Sequence, residues 1–150
     1  MKKGFTLIEL LVVISIIGVL TALLLSNFVG IRGRAKDAKL KSNLEQMKTA
    51  LRLYYNDYQQ YPSGSGGSMD GCGVSGITTC TMGSEFSAGA GGTVYMKELP
   101  EYTEYGRTNS GDGFYLGVVL NNASDVEVSN SSDECRSGSG TPNTFYVCAD

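Results

Sequence analysis

Gly4-Phe5-Thr6-Leu7-Ile8-Glu9-Leu10-Leu11-Val12-Val13-Ile14-Ser15-Ile16-Ile17-Gly18-Val19-Leu20 is the stretch on which the fold turns. A short basic start, Met1-Lys2-Lys3, precedes it, and one carboxylate, Glu9, stands just inside the apolar run. No charge occurs from Leu10 to Ile31. As a helix that span would rise about 33 Å, close to the hydrocarbon thickness of a bilayer. An ordinary secretory signal shares the basic start and the apolar run. However, this run is long, no small-x-small cleavage site closes it, and helical periodicity continues beyond it. An uncleaved signal anchor is the other plain reading. Glu9 separates these readings from a third, because an unpaired carboxylate in apolar surroundings costs roughly several kcal/mol and calls for a partner or for hydrated headgroups.

Working outward, Leu40, Leu44, Met47, Leu51, Tyr54 or Tyr55, and Tyr58 recur at spacings of three and four. This is one stripe of an amphipathic helix, to which Asp37 and Lys41 add an i,i+4 pair. Pro62-Ser63-Gly64-Ser65-Gly66-Gly67 cannot continue a helix, so the pattern predicts an end near Tyr61. Residues 62–92 are rich in Gly and Ser, with Asp70 and Glu85 their only charges. They predict a connecting loop that needs a staple, for which Cys72 and Cys80 are placed, with linker disorder as the plain alternative. Strand signals follow at Gly113–Leu120, Asp125–Val128 and Thr144–Val147, with a further candidate at Thr93–Met96. The expected fold class is α+β, a long N-terminal helix packed on a small antiparallel sheet.

Composition narrows the function. The chain has 150 residues, no histidine and a formal charge of −3. Its charge is unevenly spread: 32–61 is net basic and 62–150 strongly acidic, which argues against general affinity for nucleic acid. Without histidine there is no Ser-His-Asp or Cys-His arrangement, and the glycine-rich stretches do not follow a strand and open a helix as phosphate loops do. No enzyme activity and no cofactor are expected. Cys72, Cys80, Cys135 and Cys148 lack the CxxC knuckle of zinc sites and suit disulfides. Asp133-Glu134, or Asn121, Asn122 and Asp125, offer oxygens to calcium, but such loops are more often plain turns, so no metal is assigned. Asn122-Ala123-Ser124 and Asn130-Ser131-Ser132 fit the N-glycosylation pattern, which is common by chance. The tyrosines at 54, 55, 58 and 61 are read as packing between helix and sheet, with hydroxyls at the rim.

Lys3-Gly4-Phe5-Thr6-Leu7-Ile8-Glu9-Leu10-Leu11-Val12-Val13-Ile14 resembles the class III signal of type IV pilins and type II secretion pseudopilins, over about 25 residues. Basic leader, Gly-Phe junction, carboxylate and long apolar helix stand together at fixed offsets. The resemblance implies that residues 1–4 are a leader cut by a prepilin peptidase between Gly4 and Phe5, that Phe5 becomes the N-methylated terminus, and that Glu9 pairs with the amino terminus of a neighbouring subunit. It further implies a transmembrane and filament-core helix over 5–31, an amphipathic continuation over 32–61, a connecting loop over 62–92, and a sheet with a disulfide-closed C-terminal loop over 93–150. Cys135 and Cys148 are similar to the cysteines that bound the C-terminal region of pilins; three pairings are open, and pairing between sequence neighbours is expected.

Implied partners are further copies in a helical filament, a peptidase and methyltransferase, and a membrane platform with its assembly ATPase. Direct nucleic-acid binding is not expected. The subunit would sit single-pass in the cytoplasmic membrane and then in an extracellular pilus serving adhesion, motility or DNA uptake. A type II secretion pseudopilin and a signal-anchored binding module that never polymerises are the alternatives. Two features depart from the pattern. Ser26 stands where family members often have a proline, leaving Asn27, Gly30 and Gly33 as sources of softness against a straight helix. The cations from Arg32 to Lys41 outnumber Lys2 and Lys3, which by charge alone favours the opposite topology; the leader and the four cysteines favour an exported head.

Overall fold

Thr6 and Glu9 start the first helix as a capping box. The Thr6 amide and hydroxyl both donate to Glu9 Oε2, at 2.9 and 2.8 Å, and the Glu9 amide donates back to Thr6 Oγ1 at 3.3 Å. Helix α1 then runs Leu7–Tyr58. It ends where Gln59 takes a left-handed conformation, φ 54°, with its N–H donating to the Tyr55 carbonyl at 2.8 Å. This is three residues short of Tyr61. The structure, a computed structural model, describes residues 4–65, 67–89 and 91–149, and the side chains of 25–29 and 65 fall outside that description. Lys2 and Lys3 of the expected leader therefore lie outside the described residues, whereas at Ser26, a candidate for softening, the backbone is helical within α1 and only the side chain lies outside the description. The chain divides into two compact units, Met1–Ala35 and Lys36–Asp150.

In the second unit the three-and-four spacing becomes a buried stripe: Leu40, Leu44, Met47, Leu51 and Tyr54 are all buried. The chain then forms β1 (Gly64–Ser65), β2 (Ser68–Cys72), β3 (Thr78–Thr79), β4 (Phe86–Ala88) and β5 (Thr93–Met96). These pair antiparallel as β1-β2-β3 and as β4-β5. The glycine-rich connection thus carries short strands among its described residues, with the Cys72–Cys80 disulfide at Cα–Cα 5.2 Å bridging them. Phe86 and Met69, the largest apolar side chains of β4 and β2, are fully buried and give this stretch a share of the core.

The main sheet is β6 (Glu104–Thr108), β7 (Gly113–Val119) and β8 (Thr144–Cys148), antiparallel in that order. On β7, Phe114, Leu116 and Val118 alternate inward and join the helix stripe in one core. Strand β6 is absent from the sequence expectations, because of its residues only Tyr105 is large and buried. Its Gly106 lies opposite Tyr115, and a Cβ there would come within 2.4 Å of the Tyr115 ring.

The expected strand at Asp125–Val128 is corrected to a helix, α2 (Val126–Arg136). Asp125 caps it by accepting the Glu127 amide, Glu127 lies in the first turn, Arg136 lies in the last, and Ser137 closes it in a left-handed conformation. The region 93–150 is therefore a sheet with a helix laid beside it. Because β8 is an edge strand, its outward amides need partners, and α2 supplies one: the Ser131 hydroxyl accepts the Tyr146 amide at 3.1 Å. The Cys135–Cys148 disulfide, Cα–Cα 5.5 Å, ties the end of α2 to the end of β8.

Candidate functional site

The first unit carries the site residues expected from the sequence at its start. Gly4, Phe5 and Thr6 precede the helix and are exposed, and from Leu7 to Leu24 a window of mean hydropathy 2.8 has none of its residues buried. Ser15 and Thr21 do not break that surface, because their hydroxyls donate to the Val12 and Ile17 carbonyls at 2.8 and 2.7 Å. By length and composition this stretch of helix is apolar enough to cross a membrane. Glu9 is its one acid, and the capping box spends Oε2 on Thr6. The box is a role for Glu9 that reading it only as an assembly residue misses, and the Thr-x-x-Glu spacing is its sequence signal.

In the second unit the loop named as a calcium candidate is occupied by protein groups. The Asn121 amide and side-chain Nδ2 donate to Asp37 Oδ1 at 2.8 and 2.7 Å, and the Asn122 amide donates to Oδ2 at 2.9 Å. Lys41 Nζ binds Asp125 Oδ2 at 2.6 Å and Glu127 Oε2 at 2.7 Å. The hydrogen bonds of Asp37 and Lys41 thus go to the 121–127 segment rather than to each other. Among the described residues no group of three His, Cys, Asp or Glu side chains gathers to hold a metal.

Burial works to raise the Asp37 carboxyl, but the Asn121 and Asn122 donors and the Lys41 charge outweigh it and hold it below its usual range. The Lys41 hydrogen bond lowers Asp125 likewise. Burial pulls Lys41 down, but its two carboxylate partners leave it raised. Depressed acids stabilise the fold above the unfolded carboxylate pKa, and that contribution is lost as pH falls through the lower folded value. A raised lysine stabilises below the unfolded lysine pKa, and its contribution is lost as pH climbs through the folded value. The second unit should therefore lose stability below about pH 4 and above about pH 10. Thermal melting across pH checks this, and Asp37→Asn should flatten the acid limb.

The model of the prokaryotic N-terminal methylation motif matches residues 1–25. The chain is 39% identical over 60 residues to the type IV major pilin protein PilA of Myxococcus xanthus (strain DK1622), covering 40% of this chain and 27% of that protein. It is 40% identical over 62 residues to the type II secretion system core protein G of Pectobacterium carotovorum subsp. carotovorum, covering 41% and 40%. It is 43% identical over 61 residues to the type IV wide pilus major component PilA4 of Thermus thermophilus, covering 41% and 47%. The chain spans less than half the length of these relatives. No solved structure matches. A methylation motif at the start, a long exposed apolar helix and a small open antiparallel sheet packed on its continuation all belong together: over about 60 residues this chain is similar to type IV pilins and type II secretion pseudopilins.

Proposed function

We propose that the chain is a structural subunit, not an enzyme, made as a single-pass membrane precursor, cut between Gly4 and Phe5, methylated on Phe5, and assembled through α1 into a helical filament. The observation that carries this reading is the unburied apolar window Leu7–Leu24 ahead of a folded second unit. Lipid satisfies that surface before assembly and neighbouring helices satisfy it afterwards. Cleavage removes the cations Lys2 and Lys3 and creates an amine able to neutralise Glu9. Apolar packing supplies adhesion and the charge pair sets register.

Between the two filament kinds, we take the type II secretion pseudopilus first. The sequence expectation put a surface pilus ahead, but relatives named type II secretion system core protein G outnumber those named as pilins. The surface pilus stays as the second reading because PilA of Myxococcus xanthus and PilA4 of Thermus thermophilus are also similar. A peptidase and methyltransferase, a membrane platform and an assembly ATPase are the partners this reading requires.

Mass spectrometry of the mature N-terminus tests it: a chain beginning at methylated Phe5 is expected, and one retaining Met1 or Lys2 would overturn the reading. Shearing the cells then separates the kinds, because long surface pili are released into the medium whereas short periplasmic filaments are not.

A further inference from the structure

Arg32 and Arg34 are the first charges to follow the apolar run of α1. Both are exposed, and both belong to the first unit. Gly30 and Gly33 stand beside them in the chain. A Cβ on either glycine would meet nothing within 4 Å, so the helix surface around the pair is open to approach.

Helical rise sets the depth of the pair. The charge-free run Leu10–Ile31 has its middle between Leu20 and Thr21, and α1 is helical throughout it. At 1.5 Å per residue, Arg32 and Arg34 lie about 17 and 20 Å from that middle along the axis. The hydrocarbon of a bilayer ends about 15 Å from the midplane, and its headgroups end about 20–22 Å from it. A run centred in the bilayer therefore puts both guanidinium groups in the layer of lipid phosphates. Glu9 stands as far from the middle on the other side, so the run cannot slide far without drawing one charge into hydrocarbon.

Among the described residues no acid neutralises the pair. Glu9, the acid of the first unit, is about 35 Å of helix away from Arg32. Asp37, the next acid in the chain, spends Oδ1 on Asn121 and Oδ2 on Asn122. The ion pairs that do form belong to Lys41. A guanidinium presents a fork of N–H donors that fits phosphate oxygens two at a time. An anionic glycerophospholipid meets every demand of this stretch: acyl chains for the apolar run, a phosphate at the depth of the arginines, and a negative charge that no choline compensates.

We propose that Arg32 and Arg34 bind the phosphates of anionic glycerophospholipids at the membrane face opposite Glu9. This rests on the membrane-precursor reading and adds to it a lipid class and the residues that select it.

The test replaces Ile31, itself 60% exposed, with the photo-crosslinking residue p-benzoylphenylalanine in the full chain. The protein is reconstituted at low density into vesicles of equal parts phosphatidylcholine and phosphatidylglycerol and irradiated, and mass spectrometry counts the adducts of each lipid. With both arginines present, phosphatidylglycerol adducts are expected to exceed phosphatidylcholine adducts about tenfold, and in R32Q/R34Q the ratio should fall to that of the bulk lipid. An even ratio with the arginines in place, or an unchanged ratio in R32Q/R34Q, would overturn the proposal. So would loss of the enrichment to inorganic phosphate at constant ionic strength, which would make the ligand a soluble anion, or adducts joining residue 31 to a second copy in place of lipid. The same reporter at Ile16 keeps the two readings apart. Residue 16 should capture acyl chains whatever the arginines do; if neither position captures lipid, the membrane reading falls and this proposal falls with it.

Discussion

Glu9→Gln is expected to leave α1 helical and the chain in its membrane while lowering recovered filament about a hundredfold or more, because removing one member of a buried ion pair costs about 3–5 kcal/mol. Glutamine is the informative replacement. An amide at this position still closes the box with Thr6, whose amide and hydroxyl now bond Glu9 Oε2. It cannot neutralise an amine. Glu9→Ala removes both roles and should also fray the first turn. Circular dichroism of the solubilised chain reads the helix, and the sheared or extracted filament fraction reads assembly. Normal filaments from Glu9→Gln would assign Glu9 to helix capping alone and end its proposed pairing role.

Leu51→Ala should lower the melting temperature of the second unit by about 10–20 °C, since a buried leucine truncation costs about 2–5 kcal/mol and each kcal/mol moves a domain of this size by several degrees. Leu51 is fully buried in the helix stripe that meets Phe114, Leu116 and Val118. Leu53, two residues on and 50% exposed, is the matched control. Its alanine variant should melt within a few degrees of wild type. Near-ultraviolet dichroism from the tyrosines follows both transitions, and equal shifts at the two positions would contradict the orientation of α1 described above.

Those expectations rest on features that differed in how readily the sequence yields them. The stripe from Leu40 to Tyr54 is legible because helical burial repeats every three or four residues and needs no knowledge of the partner. Strands β5, β7 and β8 are legible because β-branched and aromatic residues sit between turn formers. Helix α2 is not. Val126-Glu127-Val128 alternates like a strand over three residues, which masks the local Asp125 cap, and the further anchor of the helix start, Asp125 and Glu127 on Lys41, meets a lysine 84 and 86 residues away. Strand β6 is invisible for a related reason: its Gly106 is set by the Tyr115 ring across the sheet, not by its own neighbours. At the candidate site, the apolar window and Glu9 are legible in one pass. The contacts of Asp37 and Lys41 with residues 121–127 are not, because those segments meet only through the tertiary fold.

The helix laid along β8 also bears on how the sheet avoids sticking to stray strands. An uncovered margin of the sheet would recruit strands sideways. Ser131 occupies one of the outward amides and the Cys135–Cys148 bond keeps its helix from swinging off. Oxidation of that one pair thus holds this margin of the sheet shut, and the reduced chain would expose β8 to sideways pairing.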